Sequence, residues 1–346
     1  MFNSLLKSLS RRHAALATTM ILAVGLSSPA LAQETIRFGS VGGLTDAGLY
    51  LADELGYFQE AGIEVEFTRM ANAPTLITSI ATNQLDVAGI SITPGMFTAI
   101  EQGFGLRIVG DKNSSRPGFA ATRLVVSADL EGSTDAETVA GLRGKAVAIP
   151  SRAGSAFYNT AALLEEHGVD VSEVQIVELS YSNMVAALAT GAVQAAYIIE
   201  PFLSQVIRAG DAVDVSNVGD FASEGSAQIN VPIVFSETFA QNRELAQAFM
   251  TAYMRGVRVY NDAFVKDINT DEVIEIMARR AEVDPEVVSS SYPAGLDPNQ
   301  EINLEDINKM QEFFVEHGFL DEVVPLDELV DTSFAETAVE ELGRYE

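Results

Sequence analysis

An internal repeat restricts this chain more than any other feature of its sequence. Leu76-Ile-Thr-Ser-Ile-Ala-Thr82 lines up with Met184-Val-Ala-Ala-Leu-Ala-Thr190, and Tyr50 with Tyr158, at one offset of 108 residues. Around the first copy, hydrophobic period predicts a strand over Ile36 to Val41, a helix over Asp46 to Ala61 ending at Gly62, and an alternating strand over Ile63 to Thr68. A loop over Met70 to Pro74, a helix over Leu76 to Asn83 and an apolar strand over Leu85 to Ile90 follow. The second copy reads Lys145 to Ile149, Ser155 to His167, Val174 to Leu179, Met184 to Thr190 and Val193 to Ile199. Short connections between alternating strands and helices are the pattern of a mainly parallel sheet covered by helices. The chain is therefore predicted to be α/β with two similar lobes.

Two further extended segments, Arg123 to Ser127 and Ile229 to Phe235, fit strands that carry the chain between lobes. Leu106-Arg-Ile-Val-Gly110 fits another first-lobe strand, with Lys112 to Ser114 in the loop beyond it. After Phe235 the period turns helical, over Arg243 to Asn261, Asp271 to Ala281, Leu304 to Gly318 and Phe334 to Leu342, with a turn at Asp297-Pro298-Asn299. This tail is expected to pack on the first lobe. The lobes then divide as residues 33–124 with 230–346, and 125–229.

Lys7, Arg11 and Arg12 precede an apolar run, Ala14 to Leu26, and the small-residue signal Ala30-Leu31-Ala32. That order predicts an export signal over residues 1–32, a mature start at Gln33 and a periplasmic location. Ser10-Arg11-Arg12 also resembles the twin-arginine form of such a signal. There are 21 Lys+Arg against 49 Asp+Glu, a formal net charge of −28, which excludes nucleic acid as a partner. Cysteine is absent, so neither a disulfide framework nor a thiolate nucleophile exists. His167 and His317 each precede a Gly at a helix end, where a cation suits the helix dipole.

Catalytic and metal motifs fail at specific positions. Gly144-Lys145 is followed by Ala146 where a phosphate loop needs Ser or Thr, and neither a Gly-x-Ser-x-Gly elbow nor a His-Glu-x-x-His helix occurs. Asp297, Asn299 and Glu301 have a calcium-loop spacing, but Ile302 replaces its Gly and Asn308 its final Glu. No catalytic residue, metal ligand or cofactor is implied.

Two facing lobes imply one ligand site, because open α/β sheets bind ligands beyond the carboxyl ends of their strands. In Pro150-Ser-Arg-Ala-Gly-Ser155, Gly154 permits close approach, Ser155 can cap the next helix, Ser151 is polar, and Arg152 adds a positive charge suited to an anion. The first-lobe counterpart, Gly42-Gly-Leu-Thr-Asp46, brings Leu44 and Thr45. Asn72, Ser91, Thr93 and Asn113 in the first lobe, and Asn183, Glu200 and Phe202 in the second, stand at further strand ends. Tyr50 and Tyr158 lie one turn inside equivalent helices, where each can pack on its sheet or face the ligand. Asn230 begins a crossing strand at the back of the cleft. For Glu200, one reading has it select an amine and the other has it hold its loop through backbone amides.

Leu51-Ala-Asp-Glu-Leu-Gly-Tyr-Phe-Gln-Glu-Ala-Gly-Ile-Glu-Val65, Leu142-Arg-Gly-Lys-Ala-Val147, Ala189-Thr-Gly-Ala-Val-Gln-Ala-Ala196, Ile199-Glu-Pro-Phe202 and Leu296-Asp-Pro-Asn-Gln-Glu-Ile-Asn303 occur in an order that resembles a known family. It is the nitrate/sulfonate/taurine and thiamine-pyrimidine type of ABC transporter substrate-binding protein. The resemblance implies a type II-like periplasmic binding fold and hinge closure over a small anionic or zwitterionic solute, sulfonate-like, taurine-like or pyrimidine-like. It also implies a monomer whose partners are that small molecule and an inner-membrane permease. A periplasmic sensing module feeding a receptor is the alternative, and an enzyme like the pyrimidine-synthesising relatives of the fold a more distant one.

Overall fold

A computed structural model describes residues 33–116, 118–215 and 228–346. The export signal read over residues 1–32 lies outside the described residues. Among the described residues, ten strands form two five-stranded sheets: β1 (Glu34–Ser40), β2 (Ile63–Arg69), β3 (Val87–Gly89), β4 (Leu106–Ser115), β5 (Thr122–Ser127), β6 (Ala146–Ile149), β7 (Gln175–Glu178), β8 (Ala195–Ile199), β9 (Ala212–Asp214) and β10 (Gln228–Ser236). Their orders are β2-β1-β3-β10-β4 and β7-β6-β8-β5-β9. The first three strands of each sheet are parallel. The fourth strand of each comes from the other end of the chain's path and runs antiparallel: β10 between β3 and β4, and β5 between β8 and β9.

Each sheet is sandwiched by helices, as its burial pattern requires. Edge strand β2 alternates between covered and open positions, whereas central β3 is buried throughout. On one face of the first sheet, Ala47, Leu49 and Leu51 of helix Ala47–Glu54 pack with Phe249, Tyr253 and Val257 of helix Arg243–Lys266. On the other, helices Ala73–Ala81, Pro94–Glu101 and Leu304–Glu316 bury Leu76, Phe97 and Phe314. The helical tail thus covers both faces of the first sheet. The second sheet carries its own two cores, around Phe157 and Leu164 on one face and around Met184 and Leu203 on the other.

The repeat is visible in the elements. Helices Ala47–Glu54 and Ser155–Glu166 start 108 residues apart, and helices Ala73–Ala81 and Tyr181–Ala189 coincide at that offset at both ends. So do Pro94–Glu101 and Phe202–Ala209, two helices that the period had not revealed. Three expectations need correction. The helix read over Asp46 to Ala61 is broken at Gly56, whose φ of 79° turns the chain before a short second helix, Tyr57–Glu60. Strand β4 continues past Gly110 to Ser115, so Lys112 to Ser114 lie in the sheet and not in a loop. Phe202, read as a strand-end residue, is the first residue of a helix. Among the described residues, no helix is long and apolar enough to cross a membrane, and no group of three or more His, Asp or Glu is placed to hold a metal ion. Asp297 instead closes its own turn, its carboxylate accepting from the Asn299 and Glu301 amides.

Candidate functional site

The lobes meet where strand ends of one sheet face those of the other. The Ser155 amide, at the N-terminus of helix Ser155–Glu166, donates to the Ile92 carbonyl across the junction at 3.1 Å. Gly154 lies against Ile92 and Thr93 there. Gly154 itself takes the cap position, and the Ser155 side chain makes no capping bond.

Both flanks of this junction are bridged. On one, the Tyr158 hydroxyl donates to Asp306 Oδ1 at 3.2 Å, while Asp306 Oδ2 accepts from the Ile229 amide on β10 at 3.3 Å. Burial raises the Asp306 carboxyl to about 6, opposed by these two donors. Beside it, Phe157 and Tyr158 meet Phe313 edge to face, at 5.2 and 5.5 Å between centroids. On the other flank, Glu200 Oε1 accepts from Ser204 Oγ and from the Tyr292 amide, both at 2.7 Å, and Oε2 accepts from the Ser204 amide at 3.1 Å. The Arg123 guanidinium stacks 4.0 Å above the Tyr292 ring. Glu200 is therefore buried and engaged by donors from the helix that follows it and from the tail.

The first-lobe wall is built around an ion pair. Lys112 Nζ lies 2.6 Å from Asp46 Oδ1 and 2.9 Å from Thr45 Oγ1, with both charged side chains at most 2 % exposed. Asp46 Oδ2 accepts from Ser40 Oγ at 2.5 Å and from the Tyr50 hydroxyl at 3.4 Å. The lysine stem crosses the sheet at Gly89, where a Cβ would stand 2.3 Å from Lys112 Cδ, so only glycine leaves it a path. One turn of chain after β1, with buried Leu44, is thereby tied to β4. Beside this wall, Ser40, Asp46, Tyr50, Phe67, Arg69 and Arg280 border a cavity of about 260 Å³. Behind it, Asp111 Oδ2 accepts from Ser114 Oγ and the Asp297 amide, both at 2.8 Å. Burial, with Asp297 nearby, pushes the Asp111 carboxyl up to about 7.

The floor is uncharged. Asn159 Nδ2 donates to the Tyr197 hydroxyl at 2.8 Å and to Asn230 Oδ1 at 2.7 Å. Gln228 Nε2 donates to Asn159 Oδ1 at 2.6 Å, and Asn230 Nδ2 to Ser115 Oγ at 2.9 Å. Second-lobe residues Asn159 and Tyr197 are thus joined to the strands β4 and β10 by carboxamides that are all buried. Asn113 is 2 % exposed on β4 beside them.

Thr93, Gly154, Ser155, Tyr158, Glu200 and Asn230, singled out from sequence, come together at this junction, with Leu44, Thr45, Tyr50 and Asn113 on the first-lobe side. Others do different work. Asn72 is exposed and caps helix Ala73–Ala81 by accepting from Thr75. Ser151 accepts from the Ala153 amide within its loop. Arg152 is exposed, its guanidinium turned to the Ile176 carbonyl on edge strand β7 at 2.9 Å and its amide bonded to Glu178. Asn183 is exposed, Ser91 half-buried, and Phe202 packs on a second-lobe core. Strand-end position does not single out Asp46, Ser115, Asn159, Tyr197, Gln228 or Asp306, which the structure brings to the junction. A signal for Gln228 was present: it stands two residues before Asn230 in an apolar strand.

A protein-family profile described as NMT1/THI5 like matches residues 45–262. A Bacillus subtilis (strain 168) protein whose name assigns it to aliphatic-sulfonates binding is 25% identical over 304 residues, 85% of this chain and 85% of its own. The alkanesulfonate-binding protein SsuA from Xanthomonas axonopodis pv. citri, solved with MOPS bound, superposes with a TM-score of 0.66 at 20% identity, over 87% of this chain and 99% of its own. The desulfurization enzyme DSZB superposes with a TM-score of 0.61 at 19% identity, over 90% of this chain and 100% of its own. The fold is therefore that of two-lobed binding proteins, and at least one enzyme shares it.

Proposed function

The chain belongs to the NMT1/THI5-like family, and on that premise we propose that it is the solute-binding component of an ABC importer, exported to the periplasm. In this reading it closes two lobes over a small anionic or zwitterionic, sulfonate-like or taurine-like solute, hands the closed form to a membrane permease, and catalyses no reaction. The lobes are residues 33–124 with 230–346, and 125–229. One observation carries the reading: two sheets of the same strand order are bridged at a single junction, from Ser155 to Ile92 and from Tyr158 to Asp306. A ligand that contacts both lobes there stabilises the joined state by its differential contacts. The relatives that bind sulfonates support the solute class. Against catalysis, the junction presents carboxamides, hydroxyls and helix-end amides, and its carboxylates Asp46, Glu200 and Asp306 are each held by several donors.

A thermal-shift screen of sulfonates, carboxylates, nitrate and pyrimidines tests the proposal. A solute at ~100 times its dissociation constant adds ~2.7 kcal/mol to stability, several degrees for a chain of this size. Stabilisation by a sulfonate is the expected result. No shift from any member of the panel would defeat it.

A further inference from the structure

The floor of the junction ends in two acceptors that nothing donates to. Asn113 Oδ1 and Gln228 Oε1 are buried without a hydrogen-bond partner, in residues 2 % and 5 % exposed. Such groups are rare in folded proteins because burial strips their water without replacing it. The pairing of β4 with β10 puts both on one face: Gln228 stands opposite Ser115 and Val231 opposite Asn113, with Asn230 as the extra residue between. Side chains placed diagonally like this lie ~7 Å apart at Cβ, near enough for one small group to reach both.

The surrounding bonds explain why these carbonyl ends are left over. Gln228 spends its amide nitrogen on Asn159 Oδ1, and Asn159 spends its own on Asn230 and Tyr197. Read in that direction, the chain of carboxamides ends on Gln228 with its carbonyl oxygen free. Lys112 of the first-lobe wall is already held by Asp46 and Thr45, and Arg152 is turned to edge strand β7. Glu200 is also spent, on Ser204 and the Tyr292 amide.

Resting on the solute-capture reading, we infer that Asn113 and Gln228 form a subsite for an N–H-bearing end of the solute, a primary ammonium or an amide edge. The two carbonyl oxygens have no proton to give, and an N–H group on the solute satisfies both at once. The solute is therefore bifunctional, with its donor end on the floor between the lobes. The same bond reports closure, because Gln228 is held by Asn159 of the second lobe while Asn113 belongs to the first.

Calorimetry on the full mature chain with two matched pairs tests this: taurine against ethanesulfonate, and β-alanine against propionate. In each binding pair the amino member is expected to bind at least about tenfold more tightly, ~1.4 kcal/mol. Asn113→Leu should erase that preference while leaving the des-amino member within about twofold, and Asn113→Asp should widen it. Equal affinity within a pair, or an equal loss for both members in Asn113→Leu, overturns the subsite and leaves solute capture standing. Should Asn113→Leu not fold, the wild-type pairs decide alone. If neither pair binds at all, the sulfonate-and-carboxylate reading fails and the subsite with it.

Discussion

Tyr158→Phe isolates the bond that holds one flank of the junction. The substitution removes only the hydroxyl that donates to Asp306 at 3.2 Å, and keeps the ring on Phe313. A hydrogen bond to a charged group is worth ~1.5–3 kcal/mol, and the length of this one puts it near 1.5. That figure applies only while Asp306 is ionised. Burial holds its carboxyl at about 6, so the donor stabilises most above that pH, and below it a neutral pair retains ~0.5–1 kcal/mol. The loss should therefore be larger at pH 8 than at pH 5, by ~0.5–1 kcal/mol. Because the bond joins the lobes, solute affinity should also fall at pH 8, by up to about tenfold, as the binding-competent arrangement is less populated. Urea unfolding followed by circular dichroism at the two pH values measures the first effect, and calorimetry the second. An equal loss at pH 5 and pH 8 would show that Asp306 does not use this donor in its ionised form, and would refute the reasoning.

Asp111 predicts the pH dependence of stability in the opposite sense to an ordinary paired carboxylate. Folded, it keeps its proton up to about 7, while unfolded it loses it near ~3.9. The folded state binds more protons across that window, so stability falls as pH rises from ~4 to ~7, and Asp111→Asn should flatten the slope and stabilise the fold at pH 8, by about 4 kcal/mol at most. Lys112→Met should cost ~3–5 kcal/mol by leaving Asp46 buried and unpaired, and pairing it with Asp46→Asn should recover much of that in urea titrations. Arg152→Ala should change affinity for an anionic solute less than about threefold by calorimetry, since the guanidinium serves the β7 edge.

The fold was legible because the repeat is written in hydrophobic period, which survives sequence divergence better than any single residue. Its offset carried more than the period showed: Pro94–Glu101 and Phe202–Ala209 match at 108 residues, although each alone reads as a strand end followed by a loop. Gly110 misled for a different reason. A glycine after an apolar run marks a stop, but here it stands inside β4 where a Cβ would meet Gln300 Oε1 at 2.5 Å, so its small size serves packing. Strand-end position picked out Thr93, Gly154, Ser155, Glu200 and Asn230, which lie near one another at the junction. It did not give side-chain direction, and Arg152 and Asn72 point away because each finds a backbone partner nearer than the junction. Asn159 and Tyr197 were beyond reach, since their meeting with β10 depends on how the two sheets face each other.

Small-angle X-ray scattering of the mature chain, with and without a saturating solute found by thermal shift, tests solute capture by lobe closure most directly. The account predicts a smaller radius of gyration with solute, and a profile matching the arrangement in which Ser155 meets Ile92 and Tyr158 meets Asp306. An unchanged profile at saturation would contradict it.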